Sequence, residues 1–478
     1  MRTGQTAIKN TGILLLGRIL SIGLGIIYIA VLSRYIHAVG MGIIATATSF
    51  VSIASLLVNF GLNDLSVRDI AANKSHTAKY VTNIFFIRGV LAAFFVIIVV
   101  AATNITNYPQ ETIFIIYIYC FAYIFDLFTD ISISVFTAHE RMEYSAILQT
   151  GRDIINIGIS LVVIALKANL FVIVGISVLA SLIKLIASLG VLHWKFVRLT
   201  RNIDIGFSRR LLTTAMPFAA LIAIDSASGR INTLILSLYW SAQEVGWYAS
   251  AGMLTGFLLI LPTVLLQALF PVFSKFNVSS RDSLKRAYSL SFKYLLLLGF
   301  ASFFGAVVTA DQVINLVFGP GFEKAAVALQ ILAVELFWMF GFANGYLLLS
   351  TGGQNLATKF SVFALIVKVT LSFMLTPRLG LVGTGLAHIA PGVLLFLPLT
   401  WICHNRLELR VPYMLGLKTF VAASLMAWAV TYVLQFEMHI LIPVLIVAPL
   451  SYIIALIGFG VIGRDDFELV SKTIFRKE

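Results

Sequence analysis

Apolar runs long enough to cross a membrane, separated by short polar stretches, fill the chain from residue 12 to residue 462. A helix needs about 20 apolar residues to span the hydrocarbon layer. Windows near that length number fourteen: 12–36, 40–62, 81–101, 112–134, 147–166, 170–192, 211–239, 247–273, 289–310, 326–350, 359–376, 384–403, 419–437 and 440–462. The pattern predicts an all-α integral membrane protein with about 14 transmembrane helices. Arg2 and Lys9 ahead of the first run imitate a signal peptide. That run is too long for one and no small-x-small cleavage site follows, so it reads as an uncleaved first helix.

One stretch repeats. Leu32-Ser33-x-Tyr35 followed by Gly42-x-x-Ala45-Thr46-Ala47 returns as Leu236-Ser237-x-Tyr239 followed by Gly246-x-x-Ala249-Ser250-Ala251, 204 residues on and without a gap. Both copies cover the junction of the first and second helices of a six-helix block. The expected organisation is two pseudo-symmetric six-helix lobes, 1–192 and 209–403, joined by a basic cytoplasmic linker at 193–208, with 404–478 adding helices 13 and 14 and a cytoplasmic tail. Duplicated lobes around a central cavity are a transporter architecture.

Composition narrows the class. The chain is 59% hydrophobic and 12% charged, with a mean hydropathy of +0.97, whereas a soluble domain is about 25% charged. An even number of spans puts both ends on one side. Loops on the opposite side hold only Arg34, Lys167, Lys324 and Arg378 of the loop cations, so the positive-inside rule makes both termini cytoplasmic. The net charge of +13 is then a topology and lipid-surface signal, and nucleic acid is not an expected partner. Cys120 and Cys403 fall inside apolar runs and give neither a disulfide framework nor metal-ligand spacing. No loop has room for a soluble catalytic or nucleotide-binding domain, so neither an enzyme nor a resident cofactor is expected, and energy must come from a gradient of Na⁺ or H⁺ or from membrane potential. The G-x-G-x-x-G match at Gly458, Gly460 and Gly463 has no strand before it and is assigned to helix packing.

Charges inside the runs carry the chemistry. Seven are basic, Arg18, Arg88, Arg152, Lys184, Arg230, Lys293 and Lys368, against the acids Asp126, Asp130, Asp153, Asp225 and Glu335. A cation held away from water is costly, so an excess of cations implies a favourable guest, an anion. Helical spacing places Asp126 and Asp130 on a stripe with Tyr119, Tyr123 and Ser134, Lys184 with Ser177, Ser181 and Ser188, and Arg152 with Gln149, Asn156 and Ser160. Arg18, Arg88, Arg152 and Lys293 lie about 6 to 10 Å from a predicted cytoplasmic end, within reach of snorkelling, whereas Lys184 and Lys368 lie about 12 to 14 Å deep. Arg230 lies beyond the midplane. The expected anion-binding set is Arg230, Lys368, Lys184, Arg18, Arg88 and Arg152, each with structural pairing as the alternative. Asp126 and Asp130 either neutralise Arg88 or Arg152 or couple transport to a cation. Asp225 and Glu335, nearer the bilayer centre, either pair with a cation or carry the coupling ion. No metal site is expected, and His388 on its apolar helix reads as packing rather than as a proton relay.

Several short motifs, in order along nearly the whole chain, carry a family resemblance. They are Gly61-Leu62 and Arg68 after the second span, His139-Glu140-Arg141-Met142-Glu143-Tyr144 after the fourth, Pro217 with Ile224-Asp225 in the seventh, and Val245-Gly246-Trp247-Tyr248. Phe318-Gly319 with Gly321-Phe322, Thr351-Gly352-x-Gln354 and Pro377-x-x-Gly380-x-x-Gly383 follow. Together they resemble the polysaccharide repeat-unit flippases of the multidrug/oligosaccharidyl-lipid/polysaccharide exporter superfamily, relatives of lipid II flippases and multidrug extruders. The resemblance implies two lobes in a V around a central cavity that alternates between inward-open and outward-open states. It also implies a polyprenyl-pyrophosphate-linked oligosaccharide as the cargo, exported across the cell membrane of a prokaryote in concert with polysaccharide assembly proteins. Its diphosphate would meet the basic cavity, and its polyprenyl tail would stay in lipid beside the extra helix pair. Alternatives are a lipid II-type flippase, a multidrug or cation antiporter, for which an acidic cavity would fit better, and a membrane-embedded polysaccharide ligase, for which the external loops are short.

Overall fold

The computed structural model describes the backbone of residues 2–56, 58–197, 203–409, 412–436, 439–463 and 466, and side chains from residue 23 onward within these ranges except 217, 218, 220, 221 and 225. Among the described residues the structure is helical and contains no strand. In order, the helices are α1 (Arg2–Ser55), α2 (Leu62–Ala72), α3 (Thr77–Ile105), α4 (Gln110–Ala138), α5 (Met142–Ala165), α6 (Leu170–Lys195), α7 (Ile205–Tyr239) and α8 (Ala242–Ser279). They continue with α9 (Arg281–Val308), α10 (Ala310–Phe318), α11 (Glu323–Phe337), α12 (Phe342–Ser350), α13 (Gln354–Leu407), α14 (Tyr413–Leu434) and α15 (Ala448–Gly458).

Nine helices among the described residues are long and apolar enough to cross a membrane, ten if the bent pair α11 and α12 is one span. α1 and α13 are each 54 residues long, about 80 Å at the helical rise, far more than a bilayer needs. Each is broken once. His37 adopts φ 55° within α1 and Gly380 adopts φ 56° within α13, so each run supplies two of the expected spans. Among the described residues the sequence windows fall on helix, with several shortened: the second span ends at Ser55 and the chain turns into the short, polar α2 at Leu62, while the last two end at Leu434 and Gly458. Side-chain caps mark other boundaries. Asn169 accepts a hydrogen bond from the Val172 amide at 3.0 Å ahead of α6, and Asp204 accepts one from Phe207 at 2.9 Å ahead of α7. Ser280 accepts one from Ser283 at 3.3 Å ahead of α9, each satisfying an amide that the first turn leaves without a helical partner.

Two compact units divide the chain after Gly246. In the first, Leu65, Val81, Ile84, Val135, Phe136 and Leu192 form a buried core that also takes in Leu211 and Ala215 of α7. Large apolar side chains face outward elsewhere: Val90, Phe94 and Ile97 on α3 are 56%, 52% and 65% exposed, the surface a lipid-facing helix presents. In the second unit, α14 and α15 pack on α9, and the Tyr452 hydroxyl donates to the Leu297 carbonyl at 2.8 Å.

The repeated stretch is also a contact within the first unit. A Cβ added to Gly42 would stand 1.6 Å from the Ala242 carbonyl oxygen, and one added to Gly246 would stand 1.9 Å from the Ala38 carbonyl oxygen. Ala38 and Ala242, like Gly42 and Gly246, are equivalent positions of the 204-residue repeat. The two copies therefore meet reciprocally, backbone against backbone, as small-xxx-small motifs allow.

Candidate functional site

Three helices of the first unit bring six polar side chains into a closed ring. Lys184 Nζ of α6 donates to Asp126 Oδ1 of α4 at 3.3 Å and to Gln149 Oε1 of α5 at 3.0 Å. Gln149 Nε2 donates to Asp153 Oδ1 at 3.2 Å, and Arg152 Nη1 lies 3.6 Å from that same oxygen. Arg152 Nη2 donates to Ser181 Oγ at 3.5 Å, and Ser181 closes the ring on Asp126 Oδ2 at 3.2 Å. Spacing explains the placement: Gln149, Arg152 and Asp153 share one side of α5, and Ser181 and Lys184 are three apart on α6. Two cations and two carboxylates leave the ring neutral. It is half-open: Arg152, Asp153 and Asp126 are 24%, 21% and 31% exposed, while Lys184 is only 7% exposed. Arg152 Nε is buried and has no hydrogen-bond partner among the described residues.

Arg88 is placed differently. It is 2% exposed, and its guanidinium donates to the Leu127 carbonyl oxygen and to Asn63 Oδ1. Asn63 in turn donates from Nδ2 to Asp130 Oδ2 at 3.3 Å. The amide thus links the buried cation to the half-buried Asp130 across α2, α3 and α4. Sequence reasoning placed Arg88 in an anion-binding set. The structure uses it to tie three helices together, because at that burial a guanidinium needs fixed acceptors. Asn63 went unnoticed, although the polar Asn63-Asp64 pair directly after an apolar run was the available signal.

In the second unit, Glu335 Oε2 of α11 lies 3.1 Å from His388 Nε2 of α13, with Lys368 within electrostatic reach of the carboxylate. Sequence reasoning gave His388 a packing role; the structure gives its ring nitrogen a carboxylate partner. Lys293 is held by both oxygens of Asp466 at 2.8 Å. Burial alone would raise the Asp466 carboxyl, but Lys293, the Gly463 amide and the Tyr294 hydroxyl together hold it below the usual carboxylate range. Asp466 follows the last apolar run, and its pairing with Lys293 was not legible from spacing.

Arg230 lies on α7 with its side chain exposed. The side chains of Arg18 and Asp225 lie outside the described residues. No group of three or more His, Cys, Asp or Glu that could hold a metal ion occurs among the described residues.

A model of the polysaccharide biosynthesis protein family matches residues 7–277, more than half of the chain and all of the ring. A curated relative from Haloferax volcanii, described as a probable low-salt glycan biosynthesis flippase, is 21% identical over 381 residues, covering 78% of each chain. Among solved structures, the lipid II flippase MurJ in an inward closed conformation superposes with a TM-score of 0.73 at 14% identity over 94% of this chain and 98% of that one. An inward-facing multidrug resistance transporter of the MATE family gives 0.60 at 15% identity over 80% and 94%. A MOP superfamily transporter from Pyrococcus furiosus, described with a binding pocket of reverse polarity, gives 0.54 at 14% identity over 83% and 93%. At these identities the structural likeness speaks for the fold.

Proposed function

This chain belongs to the polysaccharide biosynthesis protein family, and from that premise we propose that it is a flippase for polyprenyl-pyrophosphate-linked oligosaccharides. The observation that carries the reading is the half-open ring of Lys184, Asp126, Ser181, Arg152, Asp153 and Gln149 inside the family-matched region. The relative described as a glycan biosynthesis flippase points the same way.

A ring of paired charges can take an anion by exchange. The diphosphate displaces Asp126 from Lys184 and Asp153 from Arg152, whose planar guanidinium binds phosphate oxygens in pairs while Lys184 acts as a point charge. The freed carboxylates keep hydrogen-bond donors in Ser181 and Gln149, and the loaded ring carries the net negative charge of the diphosphate. Bringing about two negative charges outward from an inside-negative cell gains roughly 4 to 5 kcal/mol per 100 mV, provided the protein cations stay in place.

The polyprenyl tail needs an apolar path. The second unit has a groove of about 620 Å³ between α9, α13 and α14, lined by Phe292, Phe300, Phe340, Phe396, Trp401 and Phe420. Its aromatic lining suits an isoprenoid chain, and α14, the first helix of the extra pair, forms one wall. The setting is a prokaryotic cell membrane with both termini cytoplasmic.

The test is flipping of a fluorescent polyprenyl-diphosphate oligosaccharide in proteoliposomes under an imposed potential. Arg152→Ala and Lys184→Met should each reduce the rate at least about tenfold, the loss of roughly 1.4 kcal/mol of phosphate binding, with unchanged thermal melting. Wild-type rates in both variants would remove the ring as the headgroup site. Flipping of lipid II at an equal rate would move the reading to a lipid II-type flippase.

A further inference from the structure

We propose that a neutral polar layer next to the charged ring binds the first sugar of the cargo, and that this sugar is itself uncharged. The inference rests on the reading of the ring as the diphosphate site and names what adjoins it. The polar stripe of α5 does not stop at the ring. Asn156 and Ser160 follow Arg152 at four and eight residues, on the same side of the helix. They stand about 6 and 12 Å beyond it along the axis. On α4, Tyr119 shares a side with Asp126 and stands about 10 Å from it along the axis. The turn at 139–141 joins the end of α4 to the start of α5, so both displacements lead away from that turn and reach a common level.

A third helix completes the layer. α1 packs on both α4 and α5 and brings Tyr28 to face Ser160. Tyr119 is within electrostatic reach of Tyr28 on one side and of Arg152 on the other. Tyr28, Tyr119 and Asn156 are half-buried. Ser160 is fully buried, and its Oγ has no hydrogen-bond partner among the described residues. Tyr123, the other tyrosine of the α4 stripe, packs on Phe95 with ring centroids 5.2 Å apart and serves the core.

Polar groups inside a membrane span are costly unless something satisfies them. An orphaned hydroxyl beside an amide and two phenols is therefore a place for a guest rich in hydroxyls. A sugar meets each group. One of its hydroxyls, entering between Tyr28 and Ser160, donates to one oxygen and accepts from the other. The Asn156 amide offers a donor and an acceptor together, and the apolar face of a pyranose packs on a tyrosine ring. Along the helices a charged ring gives way to a neutral layer, the same order of chemistry as along a glycosyl diphosphate.

The layer also discriminates. Its four side chains carry no charge, and Arg152 is taken up by the diphosphate. A sugar carboxylate at this level would be buried without a cation, a cost that an uncharged sugar does not meet. A hexose is therefore accepted next to the diphosphate and a hexuronic acid is not.

Binding of three lipids to the purified protein, read by native mass spectrometry, tests this: bare polyprenyl diphosphate, the same lipid carrying one hexose, and the same lipid carrying one hexuronic acid. Wild type should hold the hexose form at least about tenfold more tightly than the bare lipid, the effect of one or two good hydrogen bonds. The hexuronic form should bind no better than the bare lipid. Ser160→Ala removes a hydroxyl that nothing in the empty protein satisfies, so it should leave melting and bare-lipid affinity unchanged while the preference for the hexose form falls. Asn156→Leu and Tyr119→Phe, which nearly keep their volumes, should act in the same direction. Equal wild-type affinity for the bare and hexose forms overturns the sugar layer and leaves the ring as the diphosphate site. So does a preference for hexose that survives all three substitutions. Equal affinity for hexose and hexuronic forms overturns the neutrality of the sugar, and failure of the bare lipid to bind removes the ring and the layer together.

Discussion

A buried side chain in this protein is either spent or available, and the difference lies in its partners. Arg88, at 2% exposure, gives its donors to Leu127 and Asn63, whereas Arg152 keeps 24% of its side chain exposed and a buried Nε without a partner among the described residues. Asn63→Ala should therefore cost about 1 to 3 kcal/mol, because it leaves a buried donor of Arg88 unsatisfied. The check is thermal melting in detergent, with flipping per folded molecule unchanged. Both arginines interrupt apolar runs at similar depth, so spacing alone ranked them together. The stripes of Asp126, Gln149, Arg152, Ser181 and Lys184 were readable as polar faces. That these faces meet one another in a ring required knowing that α4, α5 and α6 are neighbours.

Helices carry the next set of consequences. The reciprocal approach of Gly42 and Gly246 predicts matched effects on the two copies of the repeat. An alanine at either position would drive a Cβ to within 1.9 Å or less of a carbonyl oxygen, so Gly42→Ala and Gly246→Ala should each destabilise by about 1 to 3 kcal/mol. Gly175→Ala on α6, where a Cβ meets nothing within 4 Å, should be neutral or slightly stabilising. Melting temperatures of the three variants test the contrast. The repeat was visible as identities at a fixed offset, but its meaning was not, because a pattern of small residues does not say which backbone they admit. The breaks at His37 and Gly380 were legible only as gaps between apolar windows. A positive φ at His37 has no signature in composition, and it arises where the chain must turn with almost no loop.

For the molecule as a whole, the chain's own ends and breaks bear on stability. Asp466, beyond the last span, holds Lys293 of α9 at 2.8 Å. Its carboxyl is lowered relative to the ordinary value, so the charged form is the one the fold prefers. That contribution is present above the ordinary carboxylate pKa and fades as pH falls through the lowered one. Wild type should lose melting temperature on acidification below about pH 4, and Asp466→Asn should be less stable at neutral pH and flatter with acid. An acid-induced loss of the same size in both would sink the assignment.

Hydropathy by itself determined the class and the approximate limits of the spans, because a bilayer demands about 20 apolar residues per helix whatever surrounds it. It also marked every basic residue within those spans and, through motifs in order, the family. Only the tertiary structure decided which cations are paired and with what, Asn63 and Asp130 beside Arg88, Asp126 beside Lys184 and Asp466 beside Lys293, and that His388 meets Glu335. The physical reason is that depth in a membrane is a property of one helix and can be counted along the chain. Charge pairing is a property of helix neighbours, set by packing that brings residues as far apart as 173 positions within hydrogen-bond distance.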